Sequence, residues 1–137
     1  MSLISSSLRR LVTQRARNRC EYCGLSQIGQ EATFHIDHVI PVAANGETIE
    51  GNLALACVSC SLHKSAKQEI QDPETGEAVN IFNPRRQDWN EHFCWNDVRV
   101  IGLTAIGRAT IKELRMNRPV ILAIRAEEKF LGRHPPP

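Results

Sequence analysis

Apolar residues in this chain recur in short patterns, which predict an alternation of helices and strands rather than one long apolar segment. Ser7 is predicted to cap a helix that runs through about Asn18, in which Leu8, Leu11 and Val12 share one face and arginines occupy the other. Residues 33–40 are rich in β-forming side chains and predict a strand that ends before Pro41. The first part of the chain is therefore expected to contain a helix followed by a strand.

The remaining pattern predicts several further short elements. An apolar run at residues 53–56 leads into a predicted helix that ends near residue 69. Beyond it we expect a polar loop or small hairpin at 71–80, a helix at 84–95, a strand at 98–103 and a helix at 104–117. A last helix is predicted to begin at Pro119, with Val120, Ile124 and Leu131 facing inward. This order predicts an α+β fold, with one unit at residues 1–70 and an α/β extension at 71–137 that packs on it.

The composition is typical of a globular protein, with 42% hydrophobic and 23% charged residues. Aromatic residues make up only 5%, so the core depends mainly on aliphatic side chains and a bound metal would help to stabilise it. No apolar run approaches the roughly 20 residues of a membrane-spanning helix. The start of the sequence also lacks the features of a secretory signal. We therefore expect a cytoplasmic protein with no membrane partner.

Charge is distributed unevenly along the chain, although the formal net charge is only +2. Residues 1–19 contain five arginines and no acidic residue, and residues 99–118 are also basic, whereas residues 69–91 are rich in acids. Two basic segments could flank a nucleic acid. Solvated helix faces explain either segment equally well, so the pattern alone leaves both interpretations open.

Four of the five cysteines form two Cys-x-x-Cys pairs, Cys20 with Cys23 and Cys57 with Cys60, and 33 residues separate the pairs. Each pair can present two thiolates to a tetrahedral ion, and two pairs complete its shell. Such a closed site predicts structural Zn²⁺ rather than catalysis. A redox pair would explain one motif but not two. Cys94 is interpreted as a small buried hydrophobe.

The segment between the cysteine pairs contains the residues suited to phosphodiester hydrolysis. His38 can activate water near neutral pH, and Asp37 can bind a hard cation that neutralises phosphate charge. Adjacent strand residues point to opposite faces, so we expect a local twist or bulge to bring the two together. Asn52 can either fix the loop or orient the imidazole of His38 by accepting its second N–H.

These residues resemble the HNH endonuclease family. The match consists of the first Cys-x-x-Cys pair, Ile-Asp-His-Val-Ile-Pro at 36–41, Gly-Asn-Leu at 51–53, and the second pair followed by a lysine-containing helix, over about residues 9–68. The resemblance implies a ββα-metal fold, a hairpin and a helix around one divalent ion, Mg²⁺ or Mn²⁺. It also implies hydrolysis of DNA, with His38 as the general base and Asp37 as a ligand of the metal. Asn52 corresponds to the asparagine that gives the family name HNH its middle letter.

The chain departs from the family pattern directly after the second cysteine pair. Many relatives have His or Asn there as a ligand of the catalytic metal, but this chain has Ser61. His63 and His35 are further candidates for the metal shell. A hydrogen-bonded structural histidine is the favoured alternative for His35, and His63 is equally compatible with a phosphate contact or a plain surface position. The departure leaves open a second interpretation, a catalytically inactive zinc-stabilised module that binds nucleic acid.

The helix after the second pair faces the substrate in the resembling fold. Lys64 is therefore expected to contact phosphate, with a solvated charge as the alternative. The arginines before Cys20 are expected to contact the DNA backbone without reading its sequence. The predicted DNA-binding residues are Arg9, Arg10, Arg15, Arg17 and Lys64.

Overall fold

The computed structural model describes residues 4–137, in which short helices alternate with two-stranded sheets. The helices are α1 (Ser6–Arg15), α2 (Val58–Lys64), α3 (Trp89–His92), α4 (Ala105–Glu113) and α5 (Pro119–Phe130). The strands are β1 (His35–His38), β2 (Leu53–Ala56), β3 (Glu69–Gln71), β4 (Ala78–Asn80), β5 (Phe93–Asn96) and β6 (Arg99–Gly102). The fold class is therefore α+β, as the sequence predicted.

The central element is the antiparallel hairpin of β1 and β2, which packs against α2. Its register is one-to-one and pairs His35 with Ala56 and His38 with Leu53. All four residues of β2 are buried, which explains why a short, continuous apolar run forms this strand. The bulge expected at the Asp-His pair does not occur, because every residue of β1 has a single partner.

Helix α1 begins at an N-cap two residues earlier than predicted, where the hydroxyl of Ser5 accepts a hydrogen bond from the backbone of Leu8. It ends before Arg17 and Asn18, which both adopt positive φ angles. The guanidinium of Arg15 donates to two backbone carbonyls, those of Glu50 (2.9 Å) and Leu53 (2.6 Å). These bonds tie α1 to the start of β2.

The second half of the chain contains two more hairpins, β3–β4 and β5–β6, and α4 packs between them. The predicted helix at 84–95 is wrong, because only Trp89–His92 is helical and Phe93–Asn96 forms β5. Pairing with β6 accounts for this difference, since Phe93 lies opposite Gly102. The rings of Trp89 and Phe93 lie 4.9 Å apart.

The prediction for α5 is confirmed for Ile124, which is partly buried against the core, and is wrong for Val120 and Leu131, which are exposed. The buried residues of α5 are Ile121, Arg125 and Glu128, whereas Val120 is 64% exposed. One hydrophobic cluster contains residues from both halves of the chain, from Val12 to Ile121. No helix within residues 4–137 is both long and apolar enough to cross a bilayer.

Candidate active site and zinc centre

The structure brings the four paired cysteines together. Their sulfur atoms all lie within 4.8 Å of one another, and Sγ of Cys23 lies 3.7 Å from Sγ of Cys57. All four residues are buried. In each pair the first sulfur accepts a hydrogen bond from the backbone N–H of the second cysteine, at 3.5 Å and 3.4 Å. The cluster is therefore a closed set of four thiols, and this donor set fits Zn²⁺.

The two cysteine pairs lie on elements that also build the hairpin. Cys57 directly follows β2 and is the N-cap of α2, so the second pair fixes the angle between strand and helix. Gly24 follows the first pair with a φ of 77°, a conformation that favours glycine. Hydrogen bonds from the other three thiols lower the pKa of Cys23, which favours a thiolate in the cluster.

An open cleft of about 850 Å³ runs along the free edge of β1. It is lined by residues 33–38 without interruption, by the loop 41–43, and by Ser61 and Ser65 of the α2 region. Along a strand edge that does not pair with another strand, side chains from both faces of the strand are accessible. This explains how Asp37 and His38 line the same cleft although the hairpin has no bulge.

Asp37 lines the cleft and is almost fully buried. The hydroxyl of Tyr22 donates to its Oδ2 at 2.7 Å, and Nζ of Lys64 lies 3.3 Å from Oδ1 and 3.2 Å from Oδ2. Burial raises the pKa of Asp37, while Lys64 and Tyr22 act in the opposite direction. Tyr22 lies within the first cysteine pair, so this pair also supports the carboxylate.

The structure corrects the prediction for Lys64. Its side chain is 0% exposed, and Nζ also donates to the backbone oxygen of His38 at 3.0 Å. A lysine that is enclosed in this way cannot contact a phosphate from solvent. Both alternatives considered for it, a phosphate contact and a solvated charge, are therefore wrong, and its ammonium instead neutralises Asp37 beneath the cleft.

His38 is oriented by a residue that the sequence did not indicate. Its Nε2 lies 2.9 Å from the hydroxyl of Thr48. Asn52 instead fixes the loop, because its side chain bonds to the backbone of Ile40 in both directions and to the backbone oxygen of Glu47. Asn52 thus shapes the loop that carries Thr48, and Thr48 contacts the imidazole.

The two remaining histidine candidates occupy different places. Nδ1 of His35 lies 2.9 Å from Oγ of Ser61, and both residues line the cleft. His63 does not line it, and its Nδ1 donates to the backbone oxygen of Ser59 at 2.8 Å. The structure therefore brings His35, Asp37, His38 and Ser61 together and leaves His63 outside.

The predicted DNA-binding arginines of α1 are spread along the helix. Arg9 lines the cleft, and Arg10, the next residue in the chain, is exposed. Arg15 and Arg17 line a separate groove with Trp89, and the guanidinium of Arg15 is already bonded to backbone carbonyls. Of the four, Arg9 is thus the one that the structure places at the candidate active site.

A comparison with known protein families gives a match to part of the chain. The model of the family described as HNH endonuclease matches residues 20–67, which include both cysteine pairs and the whole cleft-forming hairpin. No curated protein and no solved structure matches the chain significantly. The family match and the four-cysteine cluster agree with the motif order found in the sequence. Residues 20–67, about a third of the chain, are therefore similar to the HNH endonuclease family.

Proposed function

We propose that this protein is a metal-dependent endonuclease that hydrolyses DNA phosphodiester bonds in the cleft along β1. The observation that supports this most strongly is that His38 and Asp37 share one open cleft within an HNH-family domain. An imidazole and a carboxylate that line one open cleft suit hydrolysis of an extended anionic substrate.

His38 is the proposed general base. When Nε2 donates to the hydroxyl of Thr48, the lone pair lies on Nδ1, which is then free to accept a proton from water. Thr48 thus acts as a positioning residue that holds the imidazole of His38 in place. Replacing Thr48 with valine keeps the shape of the side chain and removes the hydroxyl. We expect it to lower kcat while the affinity for DNA stays unchanged.

Asp37, Ser61 and His35 are the residues that would hold a divalent ion. A carboxylate offers about four acceptor positions, and the contacts with Tyr22 and Lys64 leave part of this capacity toward the cleft. The oxygen ligands suit Mg²⁺ or Mn²⁺, and the imidazole of His35 suits Mn²⁺ better. When bound, such an ion would stabilise the charge that develops on the phosphate.

The positive charge of the arginines at and near the cleft suits a nucleic-acid substrate. Arg9 lies at the cleft, and the exposed Arg10 and Arg17 extend a basic surface along α1. We propose that these side chains contact backbone phosphates, so that affinity falls as the salt concentration rises. The zinc centre would be structural, and its free thiols suit a reducing compartment such as the cytoplasm.

Relaxation of a supercoiled plasmid tests the proposal. With Mg²⁺ or Mn²⁺ the zinc-loaded protein should nick or cleave the plasmid, and His38→Ala should reduce the rate by about 10²–10⁴-fold with zinc content unchanged. His63→Ala distinguishes the two histidines, because its position outside the cleft predicts a rate close to wild type. Cleavage by His38→Ala at the full rate would remove His38 from its proposed role.

A second candidate function is an inactive module that binds nucleic acid. The ammonium of Lys64 beside Asp37, and Ser61 at the position of a stronger ligand, favour this candidate. The same assay separates the two functions. A binding module would retard the plasmid in a gel without breaking its strands at any concentration of either metal.

A further inference from the structure

A second groove lies beyond the end of β1, and we call it the amide groove. It has a volume of about 290 Å³, and its polar lining consists of four amides and one guanidinium, those of Gln68, Asn80, Asn83, Gln87 and Arg86. No acidic side chain of residues 4–137 lines it, although most of these residues lie in the segment 69–91, which is rich in acids. The groove is therefore polar and positively charged, which suits an anionic ligand with hydrogen-bonding edges.

Two of the amides hold the frame of the groove. Oδ1 of Asn83 accepts hydrogen bonds from the backbone N–H groups of Arg85 (2.9 Å) and Arg86 (3.2 Å). Oε1 of Gln87 accepts one from the backbone N–H of Asn83 at 2.8 Å. These bonds fix the turn that carries Arg86, so this residue projects from an ordered backbone.

The other three polar side chains of the groove, those of Gln68, Asn80 and Arg86, are free. All three residues are exposed, and within residues 4–137 their side chains make no hydrogen bond or ion pair. The neighbouring Arg85, in contrast, is paired with Glu21. Two amides and one guanidinium are thus available to a ligand in the groove.

Two segments of the chain run from the cleft along β1 to the amide groove. In the first, His38 lines the cleft and residues 39–40 line the groove. In the second, residues 65–66 line the cleft and Gln68 lines the groove. Two residues span at most about 7 Å, which equals about two base-pair steps of duplex DNA. DNA held beside His38 therefore extends to the groove.

The free side chains are of the types that read bases. Asparagine and glutamine pair with the edge of adenine, and arginine pairs with the edge of guanine. We propose that Gln68, Asn80 and Arg86 read base edges of DNA that lies beside the cleft, and so set which sequences the protein prefers. The arginines of α1 add affinity without such a preference, because they contact phosphates. The inference rests on the part of the proposed function that places DNA in the cleft, and it does not depend on cleavage.

Selection from a random-sequence DNA duplex library tests this inference. The zinc-loaded His38→Ala variant is the parent, so that bound DNA stays intact. Sequencing of the bound fraction should show a preferred guanine or adenine at one or more positions, each favoured by about 5–150-fold. Arg86→Met should lose the preference for guanine, and the triple variant Arg86→Met, Gln68→Ala and Asn80→Ala should lose all preference. Because these side chains are exposed and unpaired, the variants should fold with unchanged zinc content.

Arg10→Met is the matched control, because Arg10 is exposed and belongs to the basic surface of α1. It should weaken the binding of all sequences alike and leave the preference intact. A parent without any sequence preference, or a triple variant that keeps the parent's preference, would overturn the inference, while plasmid cleavage decides the proposed activity separately. A parent that binds no DNA would overturn both the inference and DNA as the substrate.

Discussion

Replacing Lys64 with methionine removes the ammonium that neutralises Asp37 and keeps most of the buried aliphatic stem. The carboxylate retains the bond from Tyr22 but loses its cationic partner, and its side chain is only 8% exposed. Breaking a buried ion pair in this way typically costs about 3–5 kcal/mol. We therefore expect a large loss of stability with little change in packing volume.

Protonation of Asp37 limits this loss. For an ordinary carboxyl pKa near 3.9, protonation at pH 7 costs about 4 kcal/mol. Burial raises the pKa of Asp37, so neutralising the carboxyl costs less than that. We expect the free energy of unfolding to fall by about 3 kcal/mol, which shifts the urea midpoint by roughly 1–3 M for a protein of this size.

Urea unfolding of the zinc-loaded proteins, followed by circular dichroism, provides the assay. Lys67→Met is the matched control, because Lys67 forms an exposed pair with Glu113 and such pairs contribute about 0–1 kcal/mol. The double variant Lys64→Met with Asp37→Asn leaves no buried charge and should regain most of the lost stability. A loss for Lys64→Met no larger than that for Lys67→Met would refute the reasoning.

Three further predictions concern other parts of the chain. Gly46→Ala should lower the thermal unfolding midpoint, because a Cβ at this position would overlap the backbone oxygen of Ile40. Arg108 holds the pKa of Asp72 well below its usual range, so this pair stabilises the fold above about pH 4 and less as the pH falls further. The stability difference between wild type and Asp72→Asn should therefore shrink between pH 6 and pH 3, and a constant difference would contradict this. Chelation of zinc should lower the unfolding midpoint, and added Zn²⁺ but not Mg²⁺ should restore it.

The sequence predicted the first half of the fold well because its signals there are local. Cys-x-x-Cys spacing restricts how two thiols can meet an ion. The strand predicted at 33–40 is observed over His35–His38, and it pairs with the apolar run at 53–56. The resemblance to HNH endonucleases was confirmed by the family match. The roles of Asp37 and His38 in catalysis stay predictions.

The second half was predicted less well because its elements depend on distant partners. Trp89 and Phe93 have helical spacing, yet Phe93 joins a strand because β6 is available to pair with it. In α5 the buried face carries Arg125, which an apolar pattern does not reveal. Cys94 is exposed rather than buried, since it lies on the outer face of β5.

Within the candidate site, the sequence could not indicate which polar groups meet. Lys64 looks like an exposed helical residue, and only the packing of α2 against β1 shows that its ammonium is enclosed. Thr48 lies in an irregular loop without periodicity, so its contact with His38 depends on the path that Asn52 fixes. Such contacts come from tertiary structure rather than from spacing.

The closeness of Cys23 and Cys57 also affects how the metal is acquired. The intervening 33 residues are folded into the hairpin, which holds the two sulfurs 3.7 Å apart. Closing a loop of this length in a disordered chain costs nearly 4 kcal/mol in configurational entropy, by the relation used for cross-links. A nascent chain that has already formed β1 and β2 would thus capture the ion roughly 10²–10³-fold more tightly than one that has not.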